Sequence, residues 1–161
     1  MTSTPTIGKK APAFKAESQL GPVSLAALKG KIVVLYFYPK DNTPGCTTET
    51  QGFRDALTDF ENENTVILGA SRDSLKSHEN FATKQNVTFA LLSDPDETLC
   101  TQYDVIKMKN MYGKQVRGIE RSTFLIDGTG KLVQEWRKVK VPGHVDAVLE
   151  AVRSLNAAQQ D

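Results

Sequence analysis

Seven apolar residues in succession, Ile32-Val-Val-Leu-Tyr-Phe-Tyr38, run directly into Pro39-Lys-Asp-Asn-Thr43-Pro-Gly-Cys46. A run that is apolar at every position and rich in β-branched and aromatic types suits a strand covered on both faces, at the centre of a layered α/β sheet. The residues after it end the strand and start a helix. Thr43 is a favoured N-cap and Pro44 a favoured first helical residue, so Cys46 falls at the third helical position. Its sulfur there faces backbone N–H groups that have no intrahelical partner, at the positive end of the helix dipole. Both effects favour thiolate over thiol. The spacing Thr-x-x-Cys further predicts a capping box in which anionic sulfur takes the place of the usual Glu. A plain apolar role for Cys46 fits poorly with its Pro, Thr, Pro and Gly neighbours.

Around this junction the chain alternates strand and helix. Residues 14–25 read as a short hairpin about Leu20-Gly21-Pro22, leading into a helical turn that stops at Gly30. Residues 44–62 carry Phe53, Ala56, Leu57 and Phe60 at helical spacing, and 65–71 form a second buried strand. Ser74 caps a helix towards Gln85 with Leu75, His78, Phe81 and Ala82 as inner positions. Residues 89–92 give a short strand, and Ser93-Asp94-Pro95 opens a helix through Tyr103. Residues 122–127 and 131–136 form a hairpin, and a helix over 143–155 closes the chain with Val145, Val148, Leu149, Val152 and Leu155 on one face. Tyr36 and Tyr38 read as sheet packing. The expected architecture is one α/β domain over residues 1–161, a central mixed β-sheet flanked by helices, with an N-terminal β-hairpin and fraying ends at 1–8 and 156–161. In open α/β sheets sites gather beyond the C-terminal ends of strands, where Cys46 falls.

Composition removes several classes. A net charge of +1 gives no electrostatic case for nucleic acid, and no segment is apolar for the length a bilayer requires. The two cysteines, Cys46 and Cys100, are too few for a secreted disulfide framework, and residues 1–10 contain no apolar signal core. A reducing, cytoplasmic setting is expected. His78, His144 and the two cysteines lack metal-ligand spacing, so no metal is expected. Residues 105–118 hold Lys107, Lys109, Lys114 and Arg117 without an acid, together with Met108, Met111 and Tyr112. They read as a solvated loop over a sheet end, or as a partner or dimer surface.

With Pro39, Thr43, Cys46, Glu49 and Arg121 in view, the chain resembles the peroxiredoxins over nearly all its length, most closely those of the PrxQ or bacterioferritin comigratory type. The pattern P-x-x-x-T-x-x-C after an apolar strand carries the resemblance, with Arg121-Ser-Thr-Phe-Leu-Ile-Asp and Leu-Leu-Ser93-Asp-Pro-Asp in support. The resemblance implies a thioredoxin-like fold and reduction of hydrogen peroxide or organic hydroperoxides, with no cofactor. It makes Cys46 the peroxidatic cysteine, Thr43 and Arg121 its activating partners, and Pro39 the shield of the pocket. Glu49, one turn after Cys46, is expected to aim Arg121, or else simply to favour the first helical turn. Many relatives carry a resolving cysteine five residues after the first, where this chain has Gln51. Others carry it about 36 residues on, where this chain has Ala82. Cys100 remains, as a buried helix-face thiol or a resolving residue. The expected scheme is one-cysteine, with thioredoxin, glutaredoxin or glutathione as donor and a monomer or weak homodimer as the enzyme.

The chemistry needs more than acidity. A free thiol is already a few per cent thiolate at pH 7, so lowering a thiol pKa to about 6 yields some thirtyfold, roughly 2 kcal/mol. Anything larger comes from donors aimed at the departing oxygen. Two other classes remain: a thioredoxin-like disulfide reductase, disfavoured because Thr43 replaces the first Cys of Cys-x-x-Cys, and a non-catalytic redox sensor.

Overall fold

The computed structural model describes residues 5–159. Its main sheet has seven strands, β1 (Lys15–Ser18), β2 (Gly21–Ser24), β3 (Ile32–Phe37), β4 (Thr65–Ser71), β5 (Ala90–Ser93), β8 (Ser122–Ile126) and β9 (Leu132–Trp136), in the order β2-β1-β5-β4-β3-β8-β9. β3, β4 and β5 are parallel neighbours, while β8 runs antiparallel to β3. β3 is buried at every position, as its uninterrupted apolar run requires. Helices α1 (Pro44–Asp55), α2 (Leu57–Asn62), α3 (Leu75–Gln85), α4 (Thr98–Gln102) and α5 (His144–Gln159) complete the fold.

The pleat of β3 divides the core in two. Val33, Leu35 and Phe37 point to one side, against Leu99 and Cys100 of α4, Tyr103 and Phe14. Ile32, Val34, Tyr36 and Tyr38 point to the other, against Cys46 and Phe53 of α1, Phe60 of α2, Phe81 of α3 and Val148 and Val152 of α5. Residues one apart on a strand face opposite ways, so the two cysteines lie on opposite faces of the sheet.

Four expectations change. The helix over 44–62 is broken at Ala56 (φ −93°, ψ 2°). One turn earlier lies Gly52, a weak helix former, where α5 packs so closely that a Cβ would stand 2.9 Å from Val145 Cγ2. The helix after Asp94 begins only at Thr98, because the Asp94 carboxylate accepts the N–H groups of Leu99 (3.1 Å) and Cys100 (2.7 Å) from five and six residues upstream. Leu75, expected inside, is 37% exposed, whereas His78 and Phe81 are buried. Residues 105–118 are not a loop: β6 (Ile106–Met111) and β7 (Lys114–Ile119) pair antiparallel around Tyr112 (φ 54°) and Gly113 (φ 80°), the positive-φ pair of a tight hairpin turn.

The ends are tied in part. Gly8 N donates to Leu132 O at 2.8 Å, and the Asn156 side chain to Glu63 O at 2.9 Å. Helix α5 continues to Gln159, well into the C-terminal segment expected to fray, and Lys9 N donates to Thr6 O at 3.1 Å; residues 1–4 and 160–161 lie outside the described residues. Among the described residues no helix is long and apolar enough to cross a membrane.

Candidate active site

Strand register brings the site together. Phe37 on β3 pairs with Ser122 on β8, so Arg121 lies beside the C-terminal end of β3, where the chain leaves towards α1. Val139 N donates to Arg121 O at 3.0 Å and fixes that backbone. From there Arg121 Nη2 donates to Cys46 Sγ at 3.3 Å, and Nη1 donates to Glu49 Oε1 at 2.6 Å. Gly45 leaves the guanidinium its room: a Cβ there would stand 3.1 Å from Nη2. Cys46 is only 1% exposed. The first intrahelical bond runs from Thr47 N to Thr43 O at 2.9 Å, so the N–H groups of Gly45 and Cys46 point out of the helix start.

Burial dominates the electrostatics. It pushes Glu49 up to about 7 despite the opposing pull of Arg121, and Glu49 Oε2 has no hydrogen-bond partner. Burial pulls Arg121 down, but Glu49 and Cys46 outweigh it, so the guanidinium stays charged. His144, whose Nε2 lies 2.8 Å from Thr123 Oγ1, is lowered to about 4, first by burial and then by Arg121. Desolvation, with Arg121 second, likewise lowers Lys109 on the β6–β7 hairpin.

Thr43 departs from its expected local role. It has the extended backbone of an N-cap (φ −90°, ψ 150°), but its side chain caps nothing. The hydroxyl donates instead to Lys40 O at 2.8 Å, closing the turn before the helix, so the expected capping box is not formed. Pro39 is half-buried and opens that same segment, and Asn42 within it has φ 65°. Cys100 is fully buried on the far face of the sheet, and desolvation, with Asp94 second, pushes its thiol strongly up. Both cysteines are free.

One grouping was invisible to linear spacing. Asp41, Asp73 and His78 each bring a ligand-type atom within 4.8 Å of the others. These atoms are satisfied by one another and by Tyr38, Ser71 and Ser77. Tyr38, read as packing, thus has a polar task as well. The only sequence hint was His78 on the inner face of α3.

Comparison with known proteins gives this geometry its context. The AhpC/TSA family model matches residues 7–135. Peroxiredoxin Bcp of Xanthomonas campestris is 60% identical over 131 residues, covering 81% of this chain and 82% of that one. Peroxiredoxin Bcp of Bacillus subtilis is 48% identical over 151 residues, covering 93% and 96%. Among solved structures, a cysteine-to-serine form of Xylella fastidiosa PrxQ superposes with TM-score 0.89 at 46% identity, covering 94% of this chain and 98% of that one. Mixed sheet, covering helices and a cysteine at the helix start together define a thioredoxin-like thiol peroxidase. The chain belongs to the AhpC/TSA family as a peroxiredoxin of the PrxQ, or bacterioferritin comigratory, type.

Proposed function

We propose that the protein reduces hydrogen peroxide and organic hydroperoxides through a sulfenic acid on Cys46 and is reset by an external thiol. The observation that carries this reading is Arg121, which donates at once to Cys46 Sγ (3.3 Å) and Glu49 Oε1 (2.6 Å). The Cys46 thiolate attacks the terminal oxygen of R–O–O–H, the S–O bond forms, and the O–O bond breaks. Sulfur loses two electrons and the departing alkoxide takes a proton to leave as alcohol, or as water from hydrogen peroxide. Arg121 and the outward N–H groups of the first helical turn are positioned to stabilise that oxygen as its charge develops. Thr43 and Pro39, in the segment before the helix, bound the approach to sulfur. A solved Xanthomonas campestris bacterioferritin comigratory protein described for alkyl peroxide reduction superposes with TM-score 0.87 at 51% identity, which supports organic hydroperoxides as substrates here.

Resetting proceeds without an internal disulfide. Gln51 and Ala82 occupy the positions where the family places a resolving thiol, and Cys100 packs in the other half of the core. One thiol displaces hydroxide from the sulfenic acid to give a mixed disulfide and water, and a second thiol releases Cys46 as thiol and leaves as the oxidised pair. Thioredoxin, glutaredoxin and glutathione each meet that requirement, in a cytoplasmic monomer or weak homodimer.

The test is peroxide consumption with each thiol donor, for the parent and Cys46→Ser, with mass spectrometry after one equivalent of peroxide. Rapid turnover lost in Cys46→Ser, with no Cys46–Cys100 linkage, is expected. Turnover that survives the substitution would overturn the assignment, and an internal disulfide would overturn the one-cysteine scheme.

A further inference from the structure

Residues 39–43 lead straight into the Cys46 helix without regular secondary structure, and a buried polar web joins them to the rest of the fold. Asp41, 4% exposed, is its hub. Oδ1 accepts the Tyr38 hydroxyl at 2.6 Å, and Oδ2 accepts the Ser77 hydroxyl at 2.7 Å and lies 2.8 Å from His78 Nδ1. The Asp41 backbone N–H donates to Asp73 Oδ2 at 2.9 Å, which also accepts the Ser71 hydroxyl at 2.6 Å. His78, fully buried on α3, has Nε2 2.9 Å from Leu92 O. A carbonyl only accepts, so Nε2 carries a hydrogen, and one proton lies in the contact between Nδ1 and the carboxylate. A buried carboxylate without such partners is costly, so the web holds Asp41, and with it the segment, in one place. Within 39–43 the other side-chain bond, Thr43 to Lys40, is internal to the segment.

Given the peroxidase reading, the two half-reactions make opposite demands on this segment. Peroxide needs the closed arrangement, with Arg121 on the sulfur. The external thiol must approach the Cys46 sulfur from the side opposite its new oxygen, but Cys46 is 1% exposed at the start of a helix. The sulfur must therefore turn outward before the new S–S bond forms and hydroxide leaves to become water. We propose that His78 is a positioning residue that latches residues 39–43 through Asp41 and so sets how readily the Cys46 helix start opens to a thiol.

Two substitutions separate the latch from packing. His78→Asn places an amide near Nδ1 and keeps the Asp41 contact, whereas His78→Gln reaches towards Leu92 O and gives Asp41 up. Iodoacetamide labelling of Cys46 in the reduced full chain, followed peptide by peptide, is expected to be about tenfold faster in His78→Gln than in the parent. In that variant sulfenic acid formation by peroxide slows while its reduction by dithiothreitol accelerates, and His78→Asn stays within about threefold of the parent throughout. Ser77→Ala, which removes one donor from Asp41 at a half-buried site, shifts labelling the same way by about threefold. Equal behaviour of the Asn and Gln variants, or both half-reactions slowing together, would overturn the latch. Unaltered labelling in Ser77→Ala counts against it even where the His78 variants fail to fold. Failure of the parent to form a Cys46 sulfenic acid defeats the peroxidase reading instead, and the labelling contrast still judges the latch.

Discussion

Arg121 donates to the sulfur of Cys46 at 3.3 Å although the two residues are 75 positions apart. The contact exists because β8 lies beside β3, so the residue before β8 faces the start of the helix after β3. A guanidinium is planar and forked, which lets one group serve sulfur with one nitrogen and Glu49 with another.

Replacing the fork while keeping the charge tests this arrangement. Arg121→Lys is expected to lower the rate constant for peroxide by about a hundredfold or more, the scale of one lost transition-state donor. Stopped-flow oxidation of Cys46 in a variant with a parent-like circular dichroism spectrum measures it. A loss within about threefold would show that charge alone suffices.

Glu49 gives the fold a pH dependence of determinable sign. Burial raises it from 4.5 to about 7, so between these values the unfolded chain has released the proton that the folded chain keeps. Stability therefore falls as pH rises through that window, by up to about 3 kcal/mol, and Glu49 contributes no slope below it. Glu49→Gln, neutral throughout, should gain stability relative to the parent between about pH 5 and pH 8 in urea unfolding. A pH-independent difference between the two proteins is the outcome that fails.

His144 acts in the opposite direction. Burial, aided by Arg121, lowers it from 6.5 to about 4, so its contribution is complete above 6.5 and drains away as pH falls towards 4. Trp136 is the chain's only tryptophan, and its ring centroid lies 5.8 Å from that of His144. Its fluorescence is expected to report acid unfolding at lower pH in His144→Gln than in the parent. An unchanged acid midpoint would remove His144 from the account.

Thr43 can be examined through its hydroxyl alone. Thr43→Ser keeps the 2.8 Å bond to Lys40 O and is expected to retain peroxidase activity, while Thr43→Val loses that bond, worth about 1 kcal/mol, and about tenfold in the peroxide rate. Equal rates in the two variants would show that the turn does not depend on it.

Local rules made much of the molecule legible. The unbroken apolar run of β3, the Ser74 cap of α3, which accepts from Ser77 N, the inner positions Phe81 and Ala82 of α3 (though not Leu75) and the inner face of α5 follow from short-range periodicity and capping. The β6–β7 hairpin was not legible: Ile106-Lys-Met-Lys109 does alternate apolar and basic residues, but its strands stand outside the main sheet, Met108 is exposed and β7 is largely exposed, so the pattern marks no buried face. Nor was the late start of α4, which depends on Asp94 reaching forward to the N–H groups of Leu99 and Cys100.

The sequence by itself determined that a cysteine would stand at the start of a helix beyond a buried strand, since strand, turn and cap are written in adjacent residues. Only the tertiary structure decided which groups surround that sulfur. Arg121 arrives by the register of β8 on β3, His78 reaches Asp41 because α3 packs beside the same strand end, and the pleat of β3 sends Cys100 to the other face. Such contacts join segments distant in the chain, and their geometry is fixed by strand pairing and packing rather than by any local preference.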